Sequence, residues 1–293
     1  MRECLWLGII ALMIMLATTG VSAKSQQWEV EKLPGTYKFT EGPVWTPWGS
    51  LLFSDCNDNK IWEITTPGSA PECKVFRDPA GPSNGLTFDR QGRLVACDYG
   101  HHRVTRTEKD GKITVLAESY EGKRLNSPND IIVRSDGSIY FTDPSYGVKE
   151  EDRELDFKGV FLIKPDGKLA LLTKDFDMPN GLCLSLDEKK LYIADSSNRR
   201  HIRIFDVAKD GTISGGEVIF TFPKTGVPDG MKIGKDGNLY SSGPEGIWVF
   251  DPTGKHLYTF PVPEVPANLA FGDKDGKTLY ITARTGVYRA RPK

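Results

Sequence analysis

The chain has 293 residues, of which 39% are hydrophobic and 26% charged, and its net charge is −1. That balance supports a buried core and excludes a disordered chain, and no basic stripe marks a nucleic-acid-binding surface. Met1 to Ala23 reads as a signal peptide: Arg2 gives a positive start, Leu5 to Ala17 is an apolar run, and Val21-Ser22-Ala23 offers small residues for cleavage. The run is short for a membrane span, and Cys4 precedes it, so it is not placed as a lipid-attachment cysteine. The expectation is an exported protein, periplasmic or secreted, whose mature part is 24–293. No later segment could span a membrane, so no membrane contact is expected after signal cleavage; the expected state is a monomer or weak oligomer.

Four cysteines remain: Cys56, Cys73, Cys97 and Cys183. An even number in an exported chain permits disulfides. Cys56 and Cys73 flank one predicted hairpin and are the better candidate pair, with four free thiols as the alternative. No Cys or His spacing suits a zinc site.

From Glu41 onward one pattern repeats six times. A polar residue opens a short apolar strand, a turn follows, and a second apolar strand ends in a polar loop. The openings are Glu41-Gly-Pro-Val-Trp, Asn84-Gly-Leu-Thr-Phe, Asn129-Asp-Ile-Ile-Val, Asn180-Gly-Leu-Cys-Leu, Asp229-Gly-Met-Lys-Ile and Asn268-Leu-Ala-Phe. The second strands run from Leu51-Leu-Phe-Ser-Asp through Ile139-Tyr-Phe-Thr-Asp to Leu279-Tyr-Ile-Thr-Ala. Val160-Phe-Leu-Ile and Leu169-Ala-Leu-Leu read as outer strands of the third repeat, after a charged loop from Tyr146 to Asp156. The period is about 45 residues, with no amphipathic helix between strands, which predicts an all-β fold: a six-bladed β-propeller forming a single domain over 24–293. The last repeat ends early at Gly286-Val-Tyr-Arg-Ala, so the segment from Trp28 is expected to supply its missing outer strand and close the ring. The Asp-Gly turns are read as hairpin turns, because no full Asp-x-Asp-x-Asp-Gly calcium loop occurs.

Inner strands of a propeller run along its central channel. If the six openings share one depth, Glu41, Asn84, Asn129, Asn180, Asp229 and Asn268 converge at one mouth with oxygen-bearing side chains alone. Confined carboxylates repel, and a cation relieves the repulsion. Hard oxygen donors suit Ca²⁺, which takes six to eight of them, better than Mg²⁺ or Zn²⁺. The loops after the second strands return to the same face, so Tyr99, His102, Tyr146 and Arg284 are candidates for the rim of a substrate pocket.

These residues resemble the gluconolactonase and regucalcin family of calcium-dependent six-bladed propellers. The motifs that carry the resemblance are Glu41-Gly-Pro-Val-Trp, His102-Arg-Val-Thr-Arg-Thr-Glu, Leu125-Asn-Ser-Pro-Asn-Asp, Ile139-Tyr-Phe-Thr-Asp-Pro-Ser-Tyr-Gly, Pro179-Asn-Gly-Leu and Pro228-Asp-Gly-Met. The third and fourth resemble its bacterial gluconolactonase branch. The resemblance implies a metal held by Glu41, Asn180 and Asp229, with Asn129 as a further ligand or substrate-contacting amide and Asp130 as a candidate catalytic carboxylate. His102 and Tyr146 are further candidates for substrate contact. Asn84 and Asn268 match no family ligand and are expected to be structural amides. Ser127 stands where regucalcin has an arginine.

The implied activity is hydrolysis of a sugar lactone such as D-glucono-1,5-lactone. The metal would polarise the carbonyl, and Asp229 or Asp130 would act as general base on water. No G-x-S-x-G elbow suggests a serine nucleophile. Two alternatives use the same residues: a propeller hydrolase of other esters or phosphoesters, and a binding propeller with structural calcium and no turnover.

Overall fold

The computed structural model describes residues 26–65 and 71–293. The signal peptide expected at 1–23 lies outside the described residues. Six four-stranded antiparallel sheets follow one another along the chain, with a small hairpin, Ser119–Tyr120 and Lys123–Arg124, between the second and third. The six inner strands are Thr40–Trp45, Ser83–Phe88, Ile131–Val133, Pro179–Leu184, Met231–Ile233 and Pro266–Gly272. The expected six-bladed propeller is therefore the observed fold, and Gly159–Ile163 and Leu169–Thr173 are the outer strands of the third blade as read from the sequence.

The sixth blade takes three strands from the C-terminus and its outermost from the N-terminus. Trp28–Lys32 pairs antiparallel with Gly286–Pro292, Trp28 opposite Pro292 and Lys32 opposite Tyr288. Trp28 also stacks on Phe260 of the fifth blade at 4.7 Å between ring centroids. Closure thus joins distant parts of the chain by both backbone hydrogen bonds and aromatic burial, and no blade is left with an open face.

The second strand of each blade lies in the middle of its sheet and is covered by both neighbouring blades. Ser50–Asp55, Ile139–Asp143 and Thr278–Ala283 are buried along their whole length. This is why they read as continuous apolar runs instead of alternating ones. The core consists of apolar clusters between adjacent blades, such as Val95, Val104, Phe141 and Phe161 between the second and third. Burying each such side chain is worth roughly 1.5–3 kcal/mol. The repeated tyrosine of the second strand ties blades together at the far face: Tyr140 donates to the Gly211 carbonyl at 2.9 Å and Tyr192 to that of Pro252 at 3.3 Å.

All four described cysteines are free thiols. The pair Cys56–Cys73 is not formed: Cys56 sits beyond the second strand and donates to the Ser83 carbonyl, while Cys73 lies on the outer strand against the Tyr37 hydroxyl. The two thiols flank the hairpin in sequence but face different neighbours in space.

Candidate active site

Glycine follows four of the six opening residues, and the structure gives the reason. A Cβ on Gly42 would stand 1.9 Å from the Asn84 carbonyl oxygen, one on Gly85 2.6 Å from that of Asn129, and one on Gly181 2.1 Å from that of Asp229. One on Gly230 would stand 2.1 Å from the Asn268 side chain. In these four blades the inner strand therefore touches the next blade at the level of the opening residues, which draws their side chains together.

A second device sets the backbone just before them. Asp55, Asp143 and Asp195 end the second strands of their blades and are buried. Asp55 accepts hydrogen bonds from the amides of Lys38 and Phe39, Asp143 from Asn126 and Ser127, and Asp195 from Asp177 and Met178. Each carboxylate thus fixes the approach to Glu41, Asn129 or Asn180 by charge-assisted bonds to backbone N–H groups.

At this mouth lies a cavity of about 910 Å³. Glu41, Asn84, Asn129, Asn180 and Asp229 line it, with Tyr99, Ser127, Tyr146 and Arg284 among the residues around them. The amides form a directed chain. Asn84 donates from Nδ2 to Asn129 Oδ1 at 2.7 Å, Asn129 to Asn180 Oδ1 at 2.5 Å, and Asn180 to the Tyr146 hydroxyl at 3.1 Å. All three amides point the same way around the ring. Asn129 and Asn180 each keep an unused lone pair on Oδ1, and the Oδ1 of Asn84 has no partner.

The two carboxylates are electrostatically uncomfortable. Burial pushes the Glu41 carboxyl up to about 7, helped by the charge of Asp130 and opposed by the Gly42 N–H, the Asn268 amide and Lys232. Burial raises Asp229 well above the ordinary carboxylate range, helped by Glu41 and Asp130 and opposed by Asn180 and Arg284. Asp229 Oδ1 is buried without a hydrogen-bond partner. An orphaned carboxylate oxygen, a partnerless amide oxygen and two spare amide lone pairs make a donor set of hard oxygens that fits a divalent cation. Among the described residues no three His, Cys, Asp or Glu gather as a metal cluster. The donor set here instead mixes two carboxylates with neutral amides.

Three of the predicted residues lie elsewhere. Asp130 takes the place that glycine holds in four of the other five blades, and its buried side chain lies outside the residues that line the cavity. Its Oδ1 accepts from the Ile131 amide at 2.9 Å, its Oδ2 from that of Leu182 at 3.4 Å, and Lys232 Nζ stands 3.9 Å from Oδ2. His102 is turned away from the cavity: its Nδ1 donates to the Asn126 carbonyl at 2.5 Å and supports the loop that carries Ser127. Asn268 is buried beside Glu41, and its Oδ1 accepts from the Leu269 amide. Asn84, expected to be structural, lines the cavity and starts the amide chain. The signal for it was present, since Asn84-Gly85 repeats the pattern of Asn180-Gly181.

The chain is similar to known proteins over most of its length. The family model for the SMP-30/Gluconolactonase/LRE-like region matches residues 39–285. A gluconolactonase of Zymomonas mobilis is 35% identical over 90% of this chain and 81% of its own length. A pentonolactonase of Haloferax volcanii is 29% identical over 84% of this chain and 81% of its own. The solved structure of a gluconolactonase from Xanthomonas campestris superposes with a TM-score of 0.83 at 33% identity, over 90% of this chain and 89% of that one.

Proposed function

The chain belongs to the SMP-30/gluconolactonase/LRE-like family, and on that premise we propose that it hydrolyses sugar lactones such as D-glucono-1,5-lactone to the aldonic acid. The observation that carries this reading is the buried, partnerless Asp229 Oδ1 facing a cavity lined by Glu41 and three amides. Gluconolactonase and pentonolactonase relatives support the lactone as substrate class.

Glu41, Asn180 and Asp229 would hold a divalent cation, with Asn129 as a further ligand, and the all-oxygen donor set favours calcium. When bound, such an ion supplies Lewis-acid polarisation of a carbonyl oxygen and neutralises the two carboxylates. The chain's own residues do the rest. Asp229 lines the cavity and is the stronger candidate for the general base that takes a proton from water, through whichever carboxylate oxygen the cation leaves free. Asp130 has both oxygens turned to backbone amides and stands behind the ring, so its part is to brace the channel opposite Lys232. The amide chain from Asn84 to Tyr146 holds Asn129 and Asn180 in one orientation, which presents fixed acceptors to sugar hydroxyls. Tyr99 and Tyr146 offer ring faces and hydroxyls at the wall. We assign this chemistry to the exported, processed chain, on the ground of the signal-peptide pattern at 1–23.

The test is a panel of lactones, simple esters and phosphoesters followed by pH-stat, with and without EDTA. Lactone turnover should dominate the panel, fall at least about a hundredfold on chelation, and return with added calcium. Equal turnover in EDTA, or an ester or phosphoester outrunning every lactone, would overturn the reading.

A further inference from the structure

Among the described residues that line the cavity, Arg284 is the only Lys, Arg or His. It stands exposed in the two-residue hairpin between Thr278–Ala283 and Gly286–Pro292, with Ala283 opposite Gly286. Its φ is 47°, at the first central position of the turn, where glycine is the favoured residue. Its guanidinium lies 5.7 Å from the centroid of the Phe39 ring and makes no hydrogen bond or ion pair with any described residue.

The nearby carboxylate does not satisfy it. Glu264, which also lines the cavity, already accepts from the Thr285 amide and hydroxyl, the Tyr288 hydroxyl and Lys32. An arginine therefore stands in a backbone conformation that suits glycine, over an aromatic face, with its planar donors unspent at the mouth of a cavity floored by amides and carboxylates. Backbone strain at a cavity mouth points to a ligand contact, and a guanidinium fork matches a carboxylate.

We propose that Arg284 is a specificity-determining residue that docks a carboxylate in this cavity. The proposal rests on the lactone reading for the identity of the ligand. Two sources share the chemistry: the carboxylate released when a lactone ring opens, and an acid substituent carried by the lactone itself.

The experiment compares wild type with Arg284→Gln and Arg284→Gly. Three probes serve: a neutral aldonolactone, a lactone of the same ring size bearing a carboxyl group, and D-gluconate. If the carboxylate is the product's, both variants should bind gluconate about tenfold more weakly by titration calorimetry and lose product inhibition to match, with the ratio of the two lactones unchanged. If it is a substituent's, both should lose about tenfold in kcat/KM on the acid lactone relative to the neutral one. Arg284→Gly should show the same losses at a Tm no lower than wild type, because glycine suits φ near 47°. That separates lost docking from lost folding.

Gluconate binding that depends on Arg284 in a protein hydrolysing no lactone would support the docking site and sink the lactone reading. Gluconate binding and lactone discrimination that are the same in all three proteins, or absent from wild type, would overturn the proposal whatever the turnover.

Discussion

Asp229→Ala is expected to lower kcat/KM on a lactone by about 10³-fold or more, leaving a residue of activity that EDTA no longer affects. The side chain carries two duties in one place. It is one of only two carboxylates lining the ring of openings, so its loss halves the charge available to a cation. It is also the cavity carboxylate with a buried oxygen free of partners, and losing a general base typically costs 10²–10⁴-fold.

A second readout separates this from unfolding. Glu41 is pushed up to about 7 from an ordinary 4.5, so with chelator present the folded chain binds this proton more tightly than the unfolded one. The stability contributed is full at pH values below about 4.5 and is lost as the pH rises through about 7. Burial, with the charge of Glu41, also holds Asp229 well above the ordinary carboxylate range, so Asp229 contributes to the same fall and its removal should make the fall shallower. In chelator the variant should therefore melt no lower than wild type at pH 8. A variant that keeps wild-type turnover, in EDTA or out of it, contradicts the role given to Asp229.

The second large effect is on folding. Gly42→Ala is expected to destabilise the protein by about 3 kcal/mol or more. Overpacking typically costs 1–3 kcal/mol, and a left-handed backbone with a Cβ adds about 1–2. Gly42 has φ +50°, and its new Cβ would meet the Asn84 carbonyl oxygen at 1.9 Å, a backbone atom that cannot swing aside. For a chain of this size the Tm should drop by roughly 10 °C. Gly137→Ala is the control: φ is +90° but nothing lies within 4 Å of the added methyl, so only the backbone cost of about 1–2 kcal/mol should appear. Equal effects of the two substitutions would show that close approach between inner strands does not shape the ring. Because Asn84 begins the amide chain, Gly42→Ala should also weaken activity in whatever fraction remains folded.

Much of this architecture was legible in the residues. The period of polar openings located all six inner strands, and the early end of the last repeat foretold closure by the segment from Trp28, because an unpaired blade edge is costly. The oxygen-only character of the openings pointed to one converging site. The depth of each side chain was not legible from the openings alone. The residue after the opening does not set it: Asn129, followed by Asp130, lines the cavity, while Asn268, followed by Leu269, does not. Asp130 itself stands outside the cavity lining, a position that its place in the motif does not reveal.

His102 was drawn off by a carbonyl of a different blade, a contact between residues far apart in sequence that no local pattern records. The thiols of Cys56 and Cys73 bracket a hairpin in sequence yet meet different neighbours, the Ser83 carbonyl and the Tyr37 hydroxyl. Arg284 looked like one rim residue among four. Its distinction comes from what surrounds it: Glu264 engaged by other donors, and Phe39 beneath the guanidinium.

In the proposed mechanism Glu41, Asn180 and Asp229 form one cation site at the floor of the cavity. The most direct measurement is a crystal structure of the protein grown with calcium, with the ion located by its anomalous signal. One ion is expected at the cavity floor with oxygens of those three residues at about 2.3–2.6 Å, and with Asn129 close enough to be a fourth protein ligand. An ion bound elsewhere, or a ring that stays empty at millimolar calcium while the protein turns over a lactone, would contradict it.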